Sequence, residues 1–327
     1  MKKREEQSFI KPVVVCSRCM GFEHCRYNGQ ILNDTLIEAL KPFVTFITPC
    51  PEKDMGLGVP RHPVRVVHQS GENHLVQLVT GEDVTAKMKA FCSGFFSGLE
   101  VADGFILKSR SPSCGLFDVK FYPDGEKSPP HGKGAGFFGG EALERFPGMA
   151  MEDEARLGNE KIRDHFLTKL FVLAEFREIR LARELVAFQS RHKLLLMAYS
   201  QKEMRELGRM VAHQSETGME KALSDYRDHL LKALEKGPSY RSHVNVLEHA
   251  FGYVSKKLAP EERVFFLENL EMFREDRTPL VTLLNLLQSW VLRFSVEYLA
   301  EQSYFSPYPV ELRRKFDRYR NKDYWGR

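Results

Sequence analysis

Three short apolar runs, each followed by a cysteine, constrain this chain more than any other feature. The runs are Pro12 to Val15, Phe43 to Ile47 and Phe105 to Leu107, and the cysteines after them are Cys19, Cys50 and Cys114. Apolar runs of this length that end in polar, Gly- and Pro-rich sequence are typical of buried strands. In an open α/β sheet the loops that follow the strands meet in one crevice. We therefore expect three thiolates to meet at one point, where a three-ligand metal site leaves one position open for substrate.

The fold class is predicted to be α/β in the first half and all-α in the second. Strands and loops alternate up to a helix predicted from Thr85 to Gly98, which favours an N-terminal open, mainly parallel sheet with flanking helices. After about Ala155 glycine becomes rare and apolar residues recur with helical periodicity, which predicts an all-α domain whose last long helix runs from Pro279 to near Gln302. We therefore predict two domains, residues 1–155 and 156–327.

The composition excludes several classes of protein. The chain has no apolar stretch long enough to span a bilayer, and its basic start is not followed by an apolar signal core, so we expect no membrane association and a cytoplasmic location. Six cysteines in a chain of 327 residues without a secretory signal argue against a disulfide framework.

The charge is unevenly distributed along the chain. Residues 1–155 hold 18 Lys and Arg against 20 Asp and Glu, whereas residues 156–327 hold 30 against 24. The segment 313–327 alone has 7 basic and 2 acidic residues with interleaved aromatic rings, so it is either a solvated end or a contact surface for phosphates and bases. The basic residues that we predict to contact nucleic acid are Arg191, Lys193, Arg313, Arg314 and Lys315.

Cys16 and Cys19 form a C-x-x-C pair after a strand, and three interpretations of it compete. A thioredoxin-like redox pair would need a helix directly after it. A structural zinc site would normally need a second C-x-x-C pair, which the sequence lacks. An iron–sulfur cluster needs cysteines from elsewhere, and Cys50 and Cys114 are available.

Other polar residues near these cysteines have both a functional and a plain structural interpretation. Glu52 is either a general base beside a metal, or it is a surface acid or an ion-pair partner of Arg61. Ser111 and Ser113 either act beside a thiolate or only form a turn. Elsewhere, the glycine-rich stretches 56–58 and 132–136 are interpreted as tight turns, Cys92 as core filling, and His192 as a surface or hydrogen-bonded side chain rather than a ligand.

Four ordered motifs in the first half resemble the thiouracil desulfidase family. Residues 19–29 resemble its CLLG-x-x-CRYDG stretch, and Cys50-Pro51-Glu52 with the later Pro60-Arg61-His62-Pro63 resembles its CPE and PRPP segments. Residues 81–85 resemble its G-x-DVT motif, and residues 111–115 match its SPSCG motif. The helical half resembles a second family, the YbgA-like domain, over residues 191–200 and 304–309. The two families fused in this order resemble bacterial desulfidases that remove sulfur from 4-thiouridine in tRNA.

This resemblance implies an oxygen-sensitive [4Fe-4S] cluster held by Cys19, Cys50 and Cys114, with the fourth iron left to bind the substrate sulfur. It also implies catalytic roles for Glu52 and Ser111. The sequence departs from the family pattern at Met20, Asn28 and Asp54-Met55, which affects loops and substrate fit rather than the implied ligands. Cys16 is not expected to be a ligand, and the resemblance gives Cys25 no place on the cluster.

The expected function is therefore desulfurisation of 4-thiouridine in tRNA, in which C=S becomes C=O without net electron transfer. Two alternatives stay open. The substrate is free thiouracil and the helical half serves packing, dimerisation or regulation, or the protein is a non-enzymatic iron–sulfur sensor whose helical domain binds a protein partner.

Overall fold

The computed structural model describes residues 9–123 and 128–313, without the side chains of residues 215–217. The described chain forms two compact units. The first, here called the N-terminal unit, contains the described residues up to Leu167 and those from Tyr308 onward, and the second, the helical unit, is Thr168–Pro307. The predicted division into domains of residues 1–155 and 156–327 stays a prediction.

The first sheet of the N-terminal unit is parallel and has the strand order β2-β1-β5-β8. Its strands are β1 (Val13–Cys16), β2 (Thr45–Ile47), β5 (Gly104–Leu107) and β8 (Ala150–Asp153). The two central strands are almost wholly buried and apolar, as expected of parallel strands that are covered on both faces. The predicted open, mainly parallel sheet with flanking helices is confirmed.

A second sheet, which the sequence did not predict as separate, has the order β4-β3-β6-β7. Its strands are β3 (Val64–Gln69), β4 (Glu72–Gln77), β6 (Val119–Tyr122) and β7 (Gly132–Gly134). The β3–β4 hairpin turns through Ser70 and Gly71, both with positive φ (53° and 84°), which suits a tight two-residue connection. Only the β3–β6 pair is parallel among these described strands.

Three helices belong to the same unit: α1 (Thr35–Leu40), α2 (Thr85–Ser97) and α3 (Phe137–Arg145). The apolar faces of α2 and α3 share a core with β5 in which aromatic rings dominate, with Phe96 and Phe138 stacked at 4.7 Å between ring centroids and Phe105 and Phe146 at 5.1 Å. Aromatic pairs of this kind add specific geometry to the burial of apolar area. Cys92 lies buried in this core, as predicted.

The helical unit contains the described helices α5 (Ala182–Tyr199), α6 (Gln201–Thr217), α7 (Met219–Ala233), α8 (Tyr240–Val254), α9 (Pro260–Arg274), α10 (Leu280–Phe294) and α11 (Glu297–Ala300). Helix α4 (Glu160–Arg177) precedes them in the chain. The predicted all-α second half is confirmed. No helix in the described ranges is long and apolar enough to cross a membrane.

The single helix predicted from Pro279 to near Gln302 was wrong. The last residue of helix α10 is Phe294. Ser295, which follows it, takes the left-handed conformation (φ 50°), and α11 begins at Glu297. The N–H of Val296 returns to the carbonyl of Val291 at 3.1 Å, the bond of a helix-terminating Schellman motif. The motif usually places glycine at the left-handed position, so a serine there gave no stop signal.

Gln302 makes hydrogen bonds to two backbone groups of helix α5. In a regular α-helix the N–H of Leu194 would donate to the carbonyl of Ser190. Here Leu194 N–H donates to Gln302 Oε1 at 3.0 Å, and Gln302 Nε2 donates to the Ser190 carbonyl at 2.8 Å. The buried His192 ring lies beside these contacts. Its nitrogens are 2.7 Å from Ser303 Oγ and 3.2 Å from Glu175 Oε2, so the predicted hydrogen-bonded histidine is confirmed.

The start of α3 packs directly against the turn that holds Cys114. The N–H of Phe138 donates to the Ser113 carbonyl at 2.9 Å, and a Cβ atom on Gly139 would lie 2.7 Å from the Cys114 carbonyl oxygen and closer still to that of Gly115. Both oxygens belong to backbone, which cannot swing aside as a flexible side chain can. Gly139 is therefore required for this close approach.

We expect Gly139→Ala to lower the free energy of unfolding by about 1–3 kcal/mol, the usual cost of forcing atoms into a filled space. Gly140→Ala is the matched control, because its Cβ would meet only the Ala135 Cβ at 3.5 Å, an ordinary contact. Alanine is the better helix former by roughly 0.5–1 kcal/mol, so the control should be neutral or stabilised. Chemical denaturation measures both, and equal stability of the two variants would contradict the close-approach argument.

Candidate active site

The three predicted cysteines lie in the three loops that leave the carboxyl ends of β1, β2 and β5. Cys19 is in the loop 17–34, Cys50 in the loop 48–63 and Cys114 in the loop 108–118. All six cysteines lie in the described ranges and are free thiols, and Cys50 and Cys114 are buried while Cys19 is partly exposed. The loop after Cys16 contains no helix before α1, so the thioredoxin-like interpretation of Cys16 and Cys19 lacks the element it needs.

Arg18 joins the first loop to the second. Its Nε donates to the Thr48 carbonyl at 2.6 Å, and its two terminal nitrogens bind both oxygens of Asp54 at 2.7 and 2.9 Å. Asp54 Oδ2 also accepts the N–H of Cys50 at 3.0 Å. A planar, forked guanidinium matches a carboxylate in this way, so the pair fixes Cys50 relative to the loop of Cys19.

Ser17 joins the first loop to the third. Its N–H donates to the Ile106 carbonyl at 3.1 Å, and its Oγ accepts the N–H of Lys108 at 3.0 Å. The same hydroxyl is hydrogen-bonded to the thiol of Cys114. Because Ser17 is buried beside Cys19 in sequence, its contacts hold the loops of Cys19 and Cys114 together.

Glu52 joins the second loop to the third. Its Oε1 accepts the hydroxyl of Ser113 at 2.9 Å, and its Oε2 accepts Nε and Nη2 of Arg61 at 2.8 and 2.7 Å. The Glu52 side chain is 13% exposed, so of the two plain structural interpretations the structure shows the Arg61 pair. The Glu52 carboxylate thus links the loop of Cys50 to the loop of Cys114, and its role as a base stays a prediction.

Of the two serines in the SPSCG motif, the one that contacts Glu52 is Ser113. Ser111, the predicted catalytic serine, instead accepts the N–H groups of Ser113 at 3.3 Å and Cys114 at 3.1 Å through its Oγ. Ser111 thus shapes the turn, and its catalytic role stays a prediction. The sequence did signal two hydroxyls beside a thiolate, but not which of them contacts Glu52.

The thiols influence one another electrostatically. Burial raises the pKa of Cys114 well above its ordinary value, and the charges of Cys19, Glu52 and Cys50 raise it further. Burial likewise raises the pKa of Cys19 to about 11, with Cys50 adding to the rise while Arg26 and Lys108 oppose it. Three thiolates here would repel each other, so a cationic group that binds them would relieve the repulsion.

Cys25 and Cys50 shift each other's pKa in opposite directions. A hydrogen bond from the Cys25 thiol lowers the pKa of Cys50, and the same bond raises the pKa of Cys25. The Cys50 sulfur also lies 3.7 Å from the Cys25 carbonyl oxygen. Cys25 therefore borders the site, whereas Cys16 is buried in β1 with its thiol 3.9 Å from the Ser17 carbonyl.

A site for one metal ion is absent from residues 9–123 and 128–313, because no three His, Cys, Asp or Glu side chains there surround a common point. Three thiolates on a single zinc, at about 2.3 Å from the metal, must lie within about 4 Å of one another. Thiolates that bind separate irons of a cluster need not be so close.

The residues predicted to contact nucleic acid differ in their surroundings. Arg191 forms an ion pair with Glu175 at 3.0 Å, and Lys193 is exposed. Arg313 is partly buried. Burial of the Asp164 carboxyl raises its pKa, and the charge of Arg313 opposes that rise. Arg314 and Lys315 lie outside the described residues.

The fold and the site define a class: an α/β unit with a thiol- and carboxylate-lined crevice at a sheet edge, followed by a helical unit. Comparison with known proteins gives the family. Residues 14–154 match the family model "2-thiouracil desulfurase", and residues 193–309 match "Protein of unknown function (DUF1722)". The uncharacterized protein YbbK of Bacillus subtilis is 34% identical over 110 residues, which are 32% of this chain and 73% of YbbK.

The chain belongs to the 2-thiouracil desulfurase family and has a DUF1722 region in its second half. The uncharacterized protein YbgA of Escherichia coli is 29% identical over 156 residues, which are 46% of this chain and 92% of YbgA. A solved structure titled as a [4Fe-4S]-dependent thiouracil desulfidase, TudS, is 28% identical, with a TM-score of 0.36 over 45% of this chain and 94% of that chain. The resemblance of the two halves to two families is confirmed.

In metal-free protein we expect alkylation of Cys50 and Cys19 to depend differently on pH. The thiolate is the nucleophile, so the rate follows the pKa. The Cys19 rate should rise about tenfold per pH unit towards pH 11, whereas the Cys50 rate should level off earlier because its pKa is lowered. Mass spectrometry after iodoacetamide pulses measures both, with buried Cys92 as the unreactive control. Parallel pH profiles would contradict the lowered pKa of Cys50 and the raised pKa of Cys19.

Proposed function

We propose that the protein is a [4Fe-4S]-dependent desulfidase that removes sulfur from thiolated uracil. In the proposed reaction water adds its oxygen to the thiocarbonyl carbon, the carbon–sulfur bond breaks, and C=S plus H₂O becomes C=O plus H₂S without oxidation or reduction. The observation that carries this proposal is the presence of three free thiols on three loops that hydrogen bonds join, in a chain of the 2-thiouracil desulfurase family.

Cys19, Cys50 and Cys114 would hold the cluster. Their thiols are free and they lie after three parallel strands. The charge of Cys50 raises the pKa of Cys19, and the charges of both raise the pKa of Cys114, so the three fit a group that carries positive charge and displaces protons. When bound, the cluster would supply a soft Lewis acid that prefers sulfur to oxygen. Six free cysteines also suit the reducing cytoplasm that we propose as the protein's location.

Glu52 would take a proton from the attacking water. It lies between the segments of Cys50 and Cys114 and is held there through both carboxylate oxygens. A positioned base typically contributes about 10²- to 10⁴-fold to the rate. The oxygen of Ser111 accepts two backbone N–H groups and so would orient the turn. Its hydroxyl proton is not used in these bonds and would donate a hydrogen bond to the water.

We propose 4-thiouridine in tRNA as the substrate, with free thiouracil as the competing one. The second half of the chain holds 30 basic against 24 acidic residues, and Lys193 in it is exposed. Contacts to phosphates would help to offset the few kcal/mol needed to extrude a base from folded RNA. Arg191, Lys193, Arg313, Arg314 and Lys315 stay the proposed contacts.

Cys114→Ala should lose the broad visible absorbance of an iron–sulfur cluster after anaerobic reconstitution, because it removes one of three anchors. Cys92→Ala is the matched control, since Cys92 is also a buried free cysteine but lies in α2, outside the site. It should keep the absorbance and the iron content. An unchanged spectrum in Cys114→Ala would remove Cys114 from the ligand set.

Glu52→Gln should keep the cluster and lose about 10²- to 10⁴-fold in turnover, because the amide has the size of the carboxylate but cannot accept the proton. Sulfide release by the reconstituted variant measures turnover, and its visible spectrum reports the cluster. Wild-type turnover in a cluster-loaded Glu52→Gln protein would exclude the base role.

The substrate is tested by measuring sulfide release from thiolated tRNA and from free 4-thiouracil at several salt concentrations. We expect faster release from tRNA at limiting concentration and an affinity that falls as salt rises. Equal efficiency on the free base, or a salt-independent affinity for tRNA, would favour free thiouracil. A loaded cluster without sulfide release from either compound would favour the non-enzymatic sensor.

A further inference from the structure

Arg61 is buried and donates hydrogen bonds to its own loop, 48–63, and to the loop of Cys25, 17–34. Its side chain is 4% exposed. Nε and Nη2 both bind Glu52 Oε2, while Nη1 donates to the Cys25 carbonyl at 2.9 Å and to the Gly58 carbonyl at 3.1 Å. A guanidinium offers five donors in a rigid plane, so these contacts allow one orientation of the Glu52 carboxylate.

Ser113 fixes the other oxygen of the same carboxylate. It is fully buried, its hydroxyl donates to Glu52 Oε1 at 2.9 Å, and its N–H is held by Ser111 Oγ. The next residue is Cys114, so the hydroxyl belongs to the turn that carries a proposed cluster ligand. Two loops thus hold Glu52 from opposite ends of its carboxylate.

The two oxygens of Glu52 are not equivalent. Oε2 accepts two N–H groups from Arg61, which uses its acceptor capacity, whereas within residues 9–123 and 128–313 the one donor to Oε1 is the Ser113 hydroxyl. A carboxylate oxygen has two acceptor sites, so Oε1 retains one for a further donor. Oε1 is also the oxygen on the side of the Cys114 turn.

We propose that Arg61 and Ser113 are positioning residues that present Glu52 Oε1 to the attacking water. This inference rests on the proposed desulfidase function. Arg61 engages Oε2 and fixes the plane of the carboxylate, and Ser113 sets its rotation, so the proton from water passes to Oε1. Neither residue contacts the reacting atoms, and each acts through Glu52.

A purely structural role for these residues makes different predictions. If Arg61 and Ser113 only tied the loops together, their loss would lower stability and cluster content, and its effect on rate would add to that of losing Glu52. A positioning role lowers kcat with little change in KM, and its effect disappears once Glu52 is removed.

The test measures single-turnover and steady-state sulfide release by Arg61→Lys and Ser113→Ala, each alone and combined with Glu52→Gln. The substrate is whichever of thiolated tRNA and 4-thiouracil the wild-type protein converts. We expect kcat to fall about 10²-fold in each single variant, the usual effect of displacing a reacting group by about 1 Å, with KM within about twofold. In the Glu52→Gln background neither change should reduce the rate further. Additive losses would overturn the proposal.

Controls and a readout independent of turnover complete the design. Arg145→Lys and Ser93→Ala make the same chemical changes at exposed positions of α3 and α2 and should match the wild type. Iron content and visible absorbance should stay at the wild-type level in both site variants. If Arg61→Lys fails to hold the cluster, Ser113→Ala, which removes a single oxygen, decides the question.

Anaerobic crystal structures of the variants separate this inference from the proposed function. We expect the Glu52 carboxylate to rotate away from the Cys114 turn in Ser113→Ala and to lose its fixed plane in Arg61→Lys. If the wild type releases no sulfide from either compound, the proposed function fails, and these structures still test the positioning. An unmoved carboxylate in both variants would show that Arg61 and Ser113 do not position it.

Discussion

The parallel direction of β2-β1-β5-β8 is the constraint on which the rest of the site depends. In a parallel sheet every strand ends at the same edge, so the loops after β1, β2 and β5 leave the sheet side by side. Cysteines that are far apart in the sequence therefore reach one crevice without any long excursion of the chain. An antiparallel arrangement of the same strands would have sent one of the three loops to the opposite edge.

The sheet brings the loops to one edge, and polar contacts, most of them buried or partly buried, then fix them. Arg18, Arg61, Ser17 and Ser113 each bridge two loops, and each uses a charged group or a hydroxyl rather than an apolar side chain. Buried donors that lose their partners cost about 1–3 kcal/mol each, so the contacts are worth most as a complete set. The crevice is thus specified by polar geometry on top of an apolar sheet.

The sequence predicted the parts of this protein whose signals are local. Buried strands are short apolar runs, and the helices of the second half have a clear period, so both halves of the fold followed from pattern alone. The second sheet did not, because a strand's pattern does not say which strand it pairs with. The end of α10 before Ser295 and the choice of Ser113 over Ser111 as the partner of Glu52 depend on backbone orientation, which residue types only weakly specify. The pair of Glu52 with Arg61 was foreseen only as an alternative to function, although an ion pair can also orient a base.

The amide of Gln302 has a consequence for how the helical unit is made. It bonds the Leu194 N–H and the Ser190 carbonyl, which lie 108 and 112 positions earlier in the chain. Both partners are backbone groups, so exchanging side chains within α5 leaves the link intact, proline at position 194 excepted. A single change at position 302 would instead remove both bonds at once.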